Sequence, residues 1–166
     1  MDWLLLILLF LHIGGAILGF GPTYAFMLLG PMAASEPAHG NFALRFQKLV
    51  STRLIAPLAV FQGVTGLLLV WRIGFELFQR GWLIVSIVLY LIVLAIGFGV
   101  LVPALRTLIP ATAAPPAPTA GSPPAGPPPA GPPPHILATI RRARLGGMVN
   151  AVLVLVIVFL MVTKPF

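Results

Sequence analysis

Four stretches without a single charged side chain, residues 3–35, 54–71, 81–105 and 145–163, constrain this chain more than anything else in it. Crossing about 30 Å of hydrocarbon takes roughly 20 helical residues, and each stretch meets or approaches that length. Charged residues make up about a quarter of an ordinary soluble domain. Here they are 8%, with 59% hydrophobic residues and a mean hydropathy of +1.07. The excess apolar surface has to face lipid. Inside a bilayer the backbone must satisfy its own hydrogen bonds, so each stretch is expected to be a helix. The reading is an all-α, four-helix transmembrane bundle. It forms one domain over residues 1–166, with spans at about 3–33, 44–72, 81–108 and 138–163.

The first span could be confused with a secretory signal. It has no basic leader, carries Asp2 instead, and stays uncharged from residue 3 to 35, longer than the apolar core of a signal. It reads as a span that is retained. Gly19, Gly21 and Pro22 interrupt it, which predicts a kink or partial break, and Pro57 is expected to bend the second span.

Orientation follows from the basic residues, which accumulate on the cytoplasmic side of spanning helices. Arg45, Lys48, Arg53, Arg106, Arg141, Arg142 and Arg144 fall on one side; Arg72, Arg80 and Lys164 fall on the other. The side with seven is read as cytoplasmic, touching lipid headgroups, so both termini are non-cytoplasmic in a multi-pass protein of the inner (plasma) membrane. Trp3, Trp71 and Trp82 then all lie at the outer interface, where indole prefers to sit. Net charge is +7. The cations sit in short clusters between apolar runs rather than on one solvated face, which argues against nucleic acid.

Residues 42–53 place Phe42, Phe46 and Leu49 on one side and Arg45 and Lys48 on another, a helical spacing. With Asn41 as N-cap, they read as a cytoplasmic extension of the second span, and residues 135–144 as a similar extension of the fourth. Between the third and fourth spans, residues 111–134 hold most of the eighteen prolines and repeat AGSPP, AGPPP, AGPPP. A period of five is not that of collagen. The segment reads as an extended, proline-rich cytoplasmic linker.

The chain has no cysteine, and none of its three acids, Asp2, Glu36 and Glu76, lies within a span. Disulfides, thiolate chemistry and paired-carboxylate catalysis are excluded, as is the intramembrane carboxylate that a proton relay normally uses. No catalytic residue and no metal site is assigned. The polar residues within the spans are His12, Gln62, Thr65, Ser86 and Asn150. His12 and Gln62 each lie nine residues from the outer end of their span, hence at one level, with Asn150 somewhat deeper. His12, Gln62, Thr65 and Asn150 are read as a buried polar cluster. The competing reading makes His12 an axial ligand of haem b, with Met148 as second ligand, or a quinone contact. His39 and His135 lie at the opposite end and cannot serve. Small residues recur on every span: Gly15 and Gly19, Gly63 and Gly66, Ala95 and Gly99, Gly146 and Gly147. They let backbones approach closely, within a bundle, in a homodimer or against another membrane subunit.

The opening LHIGGAILGFGP, the run RLIAPLAVFQGVTGLLLVW and the closing FLMVTKPF resemble a family of small bacterial proteins known as predicted integral membrane proteins, domain of unknown function 2269. The resemblance covers nearly the whole chain except residues 111–134. It implies four spans and carries no assigned activity. In layout the family is similar to haem-associated four-helix membrane proteins of the copper-resistance and protoporphyrinogen-oxidase kinds, and only His12 maps onto them. Three readings stay open: a non-enzymatic membrane module or assembly partner, a haem- or quinone-linked redox protein using His12, and a small-solute transporter.

Overall fold

The computed structural model describes residues 2–113 and 131–165; most of the proline-rich segment lies outside them. The described residues are helical, with no strand among them. Helix α1 is Trp3–Ser35. Helix α2 (Gly40–Val50) continues through a π-turn at Ser51–Ile55 into α3 (Ala56–Ile73). In the same way α4 (Gly81–Ile96) continues through a π-turn at Gly97–Leu101 into α5 (Val102–Ala111). The last helix is α6, Pro134–Thr163. The result is four rods of 30–34 residues, each long and apolar enough to cross a membrane. At about 1.5 Å per residue they reach ~45–51 Å, well beyond ~30 Å of hydrocarbon. The second, third and fourth rods exceed the sequence expectation at the end away from the termini.

The expected break at Pro22 is absent: α1 runs unbroken through both Pro22 and Pro31. A proline removes one backbone donor and crowds the carbonyl four residues back, but the flanking bonds of a long helix persist, and in lipid an open turn would cost more than it relieves. The π-turns show how Pro57 and Pro103 are accommodated instead. A proline ring clashes with the carbonyl four residues back, here Arg53 and Gly99. In both rods the turn before the proline widens, so that Ala56 N–H donates to Ser51 O and Val102 N–H to Gly97 O, five residues back. Each proline follows the first residue of its π-turn by six positions.

The rods pack in a ring. Helix α1 lies chiefly on α3 and also on α6, α6 lies on α4, and α2 meets α5. Both chain termini gather at one end. Asp2 caps α1 by accepting the Leu5 N–H at 3.2 Å and pairs with Arg72 in the last turn of α3. Val70, Trp82 and Leu83 form a buried cluster there, backed by Ile87 and Met161. Lys164, which ends α6 in the left-handed conformation, holds its Nζ 5.7 Å from the centre of the Trp82 ring. Trp3 and Trp71 are 69% and 61% exposed, but Trp82 is only 7% exposed, so it is a core residue and not a lipid-facing indole.

At the opposite end Asn41 does not cap α2, whose N-cap is His39 with no side-chain bond. Its Nδ2 instead donates to Ile109 O at 2.7 Å and to Thr112 Oγ1 at 3.1 Å. The last carbonyls of a helix have no partner within it. Asn41 satisfies one of them at the end of α5 and ties α2 to that helix.

Candidate functional site

A polar group of three side chains inside the bundle is built on α1 and α3. Gln62 and Thr65 are three residues apart, hence neighbours on one face of α3, and that face meets His12 of α1. His12 Nδ1 lies 2.9 Å from Thr65 Oγ1, and its Nε2 lies 3.0 Å from Gln62 Nε2. A threonine hydroxyl has one proton to give. Thr65 donates it to Phe61 O at 2.9 Å, with Gln62 O at 3.2 Å, so Oγ1 accepts from His12 Nδ1–H. That leaves Nε2 with a lone pair, which accepts the Gln62 amide N–H. Hydrogen bonding thus selects the Nδ1–H tautomer.

Close helix approach makes this fit. A Cβ on Gly66 would come 3.2 Å from His12 Cε1, and one on Gly15 would come 3.0 Å from Phe61 Cδ1 and 3.1 Å from Gln62 Oε1. That oxygen has no hydrogen-bond partner among the described residues and rests against the bare Gly15 backbone. Gly19 meets the Leu58 side chain in the same way, Gly63 meets the Tyr90 hydroxyl, and Gly146 meets Leu101, Ile96 and Val100. Gly99 and Gly147 border open space, and Ala95 is exposed.

Asn150 does not join the His12 group. Its Nδ2 donates to Val93 O on α4 at 3.4 Å. Ser86 is fully buried and donates to Trp82 O at 2.7 Å within its own helix. Met148 is also elsewhere: it is fifteen residues from the end of α6 at Thr163, whereas His12 is nine from the start of α1. At 1.5 Å per residue the two differ in depth by ~9 Å. Both ring nitrogens of His12 are engaged within the chain, so ligation of an iron would first have to break one of these bonds. Among the described residues no three His, Cys, Asp or Glu side chains come together as a metal site.

Two tyrosines escaped sequence reasoning. Tyr24 on α1 donates to Ala151 O on α6 at 3.1 Å, and Tyr90 on α4 donates to Ala59 O on α3 at 2.6 Å. The available signal was a phenol inside an apolar span, whose hydroxyl must find an acceptor. With the His12 group and Asn150, these bonds close a circuit: α3 to α1, α1 to α6, α6 to α4 and α4 back to α3.

At the end away from the termini, Arg45, Lys48, Arg53, Arg106, Arg141, Arg142 and Arg144 are all exposed. None pairs with a carboxylate among the described residues; the acid at that end, Glu36, pairs with His39 at 3.1 Å.

Four apolar rods tied by interior polar bonds, with seven cations at one rim, define an integral membrane protein of the four-helix class. No curated protein and no solved structure matches the chain. A family model does, over residues 6–165, and the chain belongs to that family, described as predicted integral membrane protein (DUF2269).

Proposed function

We propose that this protein is a non-enzymatic module of the inner membrane. Both termini face out, the seven-cation rim and the proline-rich linker face the cytoplasm, and its role is assembly with other membrane components. The observation that carries the reading is the closed circuit of polar bonds. His12, Gln62, Thr65, Tyr24, Tyr90 and Asn150 each spend a hydrogen bond on a neighbouring helix. General acid–base catalysis needs a group whose proton is free to move. The amide oxygens of Gln62 and Asn150, unpartnered among the described residues, are not such groups, and both ring nitrogens of His12 are engaged in holding α1 to α3. The orientation rests on seven unpaired cations at one rim against three at the other. Headgroup phosphates supply the counter-charge that the chain lacks at that rim. Gly14 and Gly21, two turns apart on α1, border open space and offer a close approach to a partner helix.

The test is a visible spectrum of detergent-purified protein expressed with added haem precursor. The module reading expects no Soret band. A Soret band that disappears in His12→Ala would replace it with the redox reading.

A further inference from the structure

A cavity of about 90 Å³ lies where all four rods meet, near the middle of the bundle. Its walls come from α1 (Phe20, Phe26), from the π-turn before α3 (Ser51), from the π-turn before α5 (Phe98) and from α6 (Asn150, Val154). Both π-turns therefore border one space. Such turns inside α-helices concentrate at functional sites. Here each is imposed by a proline, and each carries its rod past the cavity with its side chains out of ordinary α-helical register.

Asn150 supplies the independent observation. It is only 7% exposed, its Nδ2 donates one N–H to Val93 O, and its Oδ1 has no partner among the described residues. A buried amide oxygen without a donor is costly, and in native proteins it calls for an explanation. On the wall of a cavity, the explanation is something in the cavity that donates to it.

The walls define what that something is. No lining residue is charged, so an ion would enter without a counter-charge, several kcal/mol uphill. Most of the lining is apolar, with three phenylalanine rings, so the body of the ligand is apolar. An engineered apolar cavity of about 150 Å³ holds benzene; this one is smaller, but Phe98, on its wall, is 54% exposed, leaving one side at the lipid-facing surface. We infer that the cavity is a binding site for a hydroxyl group on a small apolar or aromatic body, a phenol or short alcohol, whose O–H donates to Asn150 Oδ1. This goes beyond the assembly role, since it assigns the interior a ligand. The same chemistry is offered by a free small molecule and by the hydroxylated ring head of a membrane lipid.

The probe is 4-fluorophenol, followed by fluorine NMR with the full-length protein in nanodiscs of synthetic phosphatidylcholine. Fluorobenzene, which lacks the hydroxyl, is the control. The expectation is saturable binding of 4-fluorophenol, with fluorobenzene about tenfold weaker because one hydrogen bond is missing. Asn150→Leu should erase that preference. Val154→Phe, which leaves the amide in place and fills the space, should abolish binding of both probes; each variant is first shown to be monodisperse. Displacement of 4-fluorophenol by a hydroquinone lipid added to the nanodiscs identifies the lipid source, and retention identifies the free one. Equal binding of the two probes, binding unchanged in Val154→Phe, or no saturable binding would overturn the inference and leave the cavity to water.

Discussion

His12 Nε2 faces the amide nitrogen of Gln62 at 3.0 Å, a contact that is attractive only when that ring nitrogen carries no proton. The opposite nitrogen must then hold the proton and give it to Thr65, which has already given its own to Phe61 O. One imidazole thus joins two side chains of α3 to α1, and its tautomer is set by a backbone carbonyl two steps away.

Nitrogen NMR of histidine-labelled protein should accordingly show one span histidine as the Nδ1–H tautomer at neutral pH. His12→Leu should lower the thermal midpoint in detergent by several degrees. It leaves Gln62 and Thr65 without their partner at about 1–2 kcal/mol in total, the scale of interhelical hydrogen bonds in membranes. An unchanged midpoint would mean that these bonds hold nothing.

The glycines divide into two groups by what a Cβ would strike. Gly15→Leu and Gly19→Leu drive a side chain into Phe61 and Leu58, each 3.0 Å from the first added carbon, and should separate α1 from α3. Overpacking of this kind costs about 1–3 kcal/mol. A Cβ at Gly14 meets nothing within 4 Å, and Gly14→Leu should leave the fold intact. The comparison is made by size-exclusion profile and thermal midpoint. Loss of a higher oligomer in Gly14→Leu alone would mark the α1 surface as an assembly face.

A π-turn is one residue inserted into an α-helix. Deleting Val100 together with Pro103→Ala should restore a plain α-helix and keep the register of α5 against α2 and α6. Deleting Val88 from α4 should instead rotate everything after it by about 100° and prevent folding. Expression level and monodispersity read the difference. Equal tolerance of both deletions would show that the turn carries no register information.

The absence of cysteine gives a clean background for single-cysteine labelling. In intact cells a membrane-impermeant maleimide should label Gln79→Cys, between α3 and α4, and should reach His135→Cys only after lysis. The reverse pattern would invert the proposed orientation.

What the sequence makes legible is what lipid makes non-negotiable. A charge-free run of sufficient length has to be a helix, so four rods follow from counting. Counting nine residues in from two span ends puts His12 and Gln62 at one level, and a spacing of three adds Thr65 to the same face. Asn150 departs from the expected cluster because depth says nothing about azimuth; it looks toward α4 and not toward α1. Pro22 and Pro57 both predict a distortion, yet one leaves its helix continuous and the other sits behind a π-turn. Only the packing around each proline decides which. The depth of Trp82 suits an interfacial anchor, but the cluster of Val70, Leu83 and Met161 encloses it.

The rod from Gly40 to Ile73 is 34 residues long, ~51 Å against a ~30 Å apolar slab. Its charge-free part, residues 54–71, is only ~27 Å and matches that slab; where a bilayer is thinner, tilting is one way to absorb the difference. The α2 portion offers another: with Arg45 and Lys48 along it and Arg53 in the π-turn that follows, that part can stand clear of the acyl chains without penalty. A thicker or thinner bilayer then changes how far the rod protrudes before it changes how the bundle packs, and the protein should tolerate membranes of different thickness better than four minimal spans would.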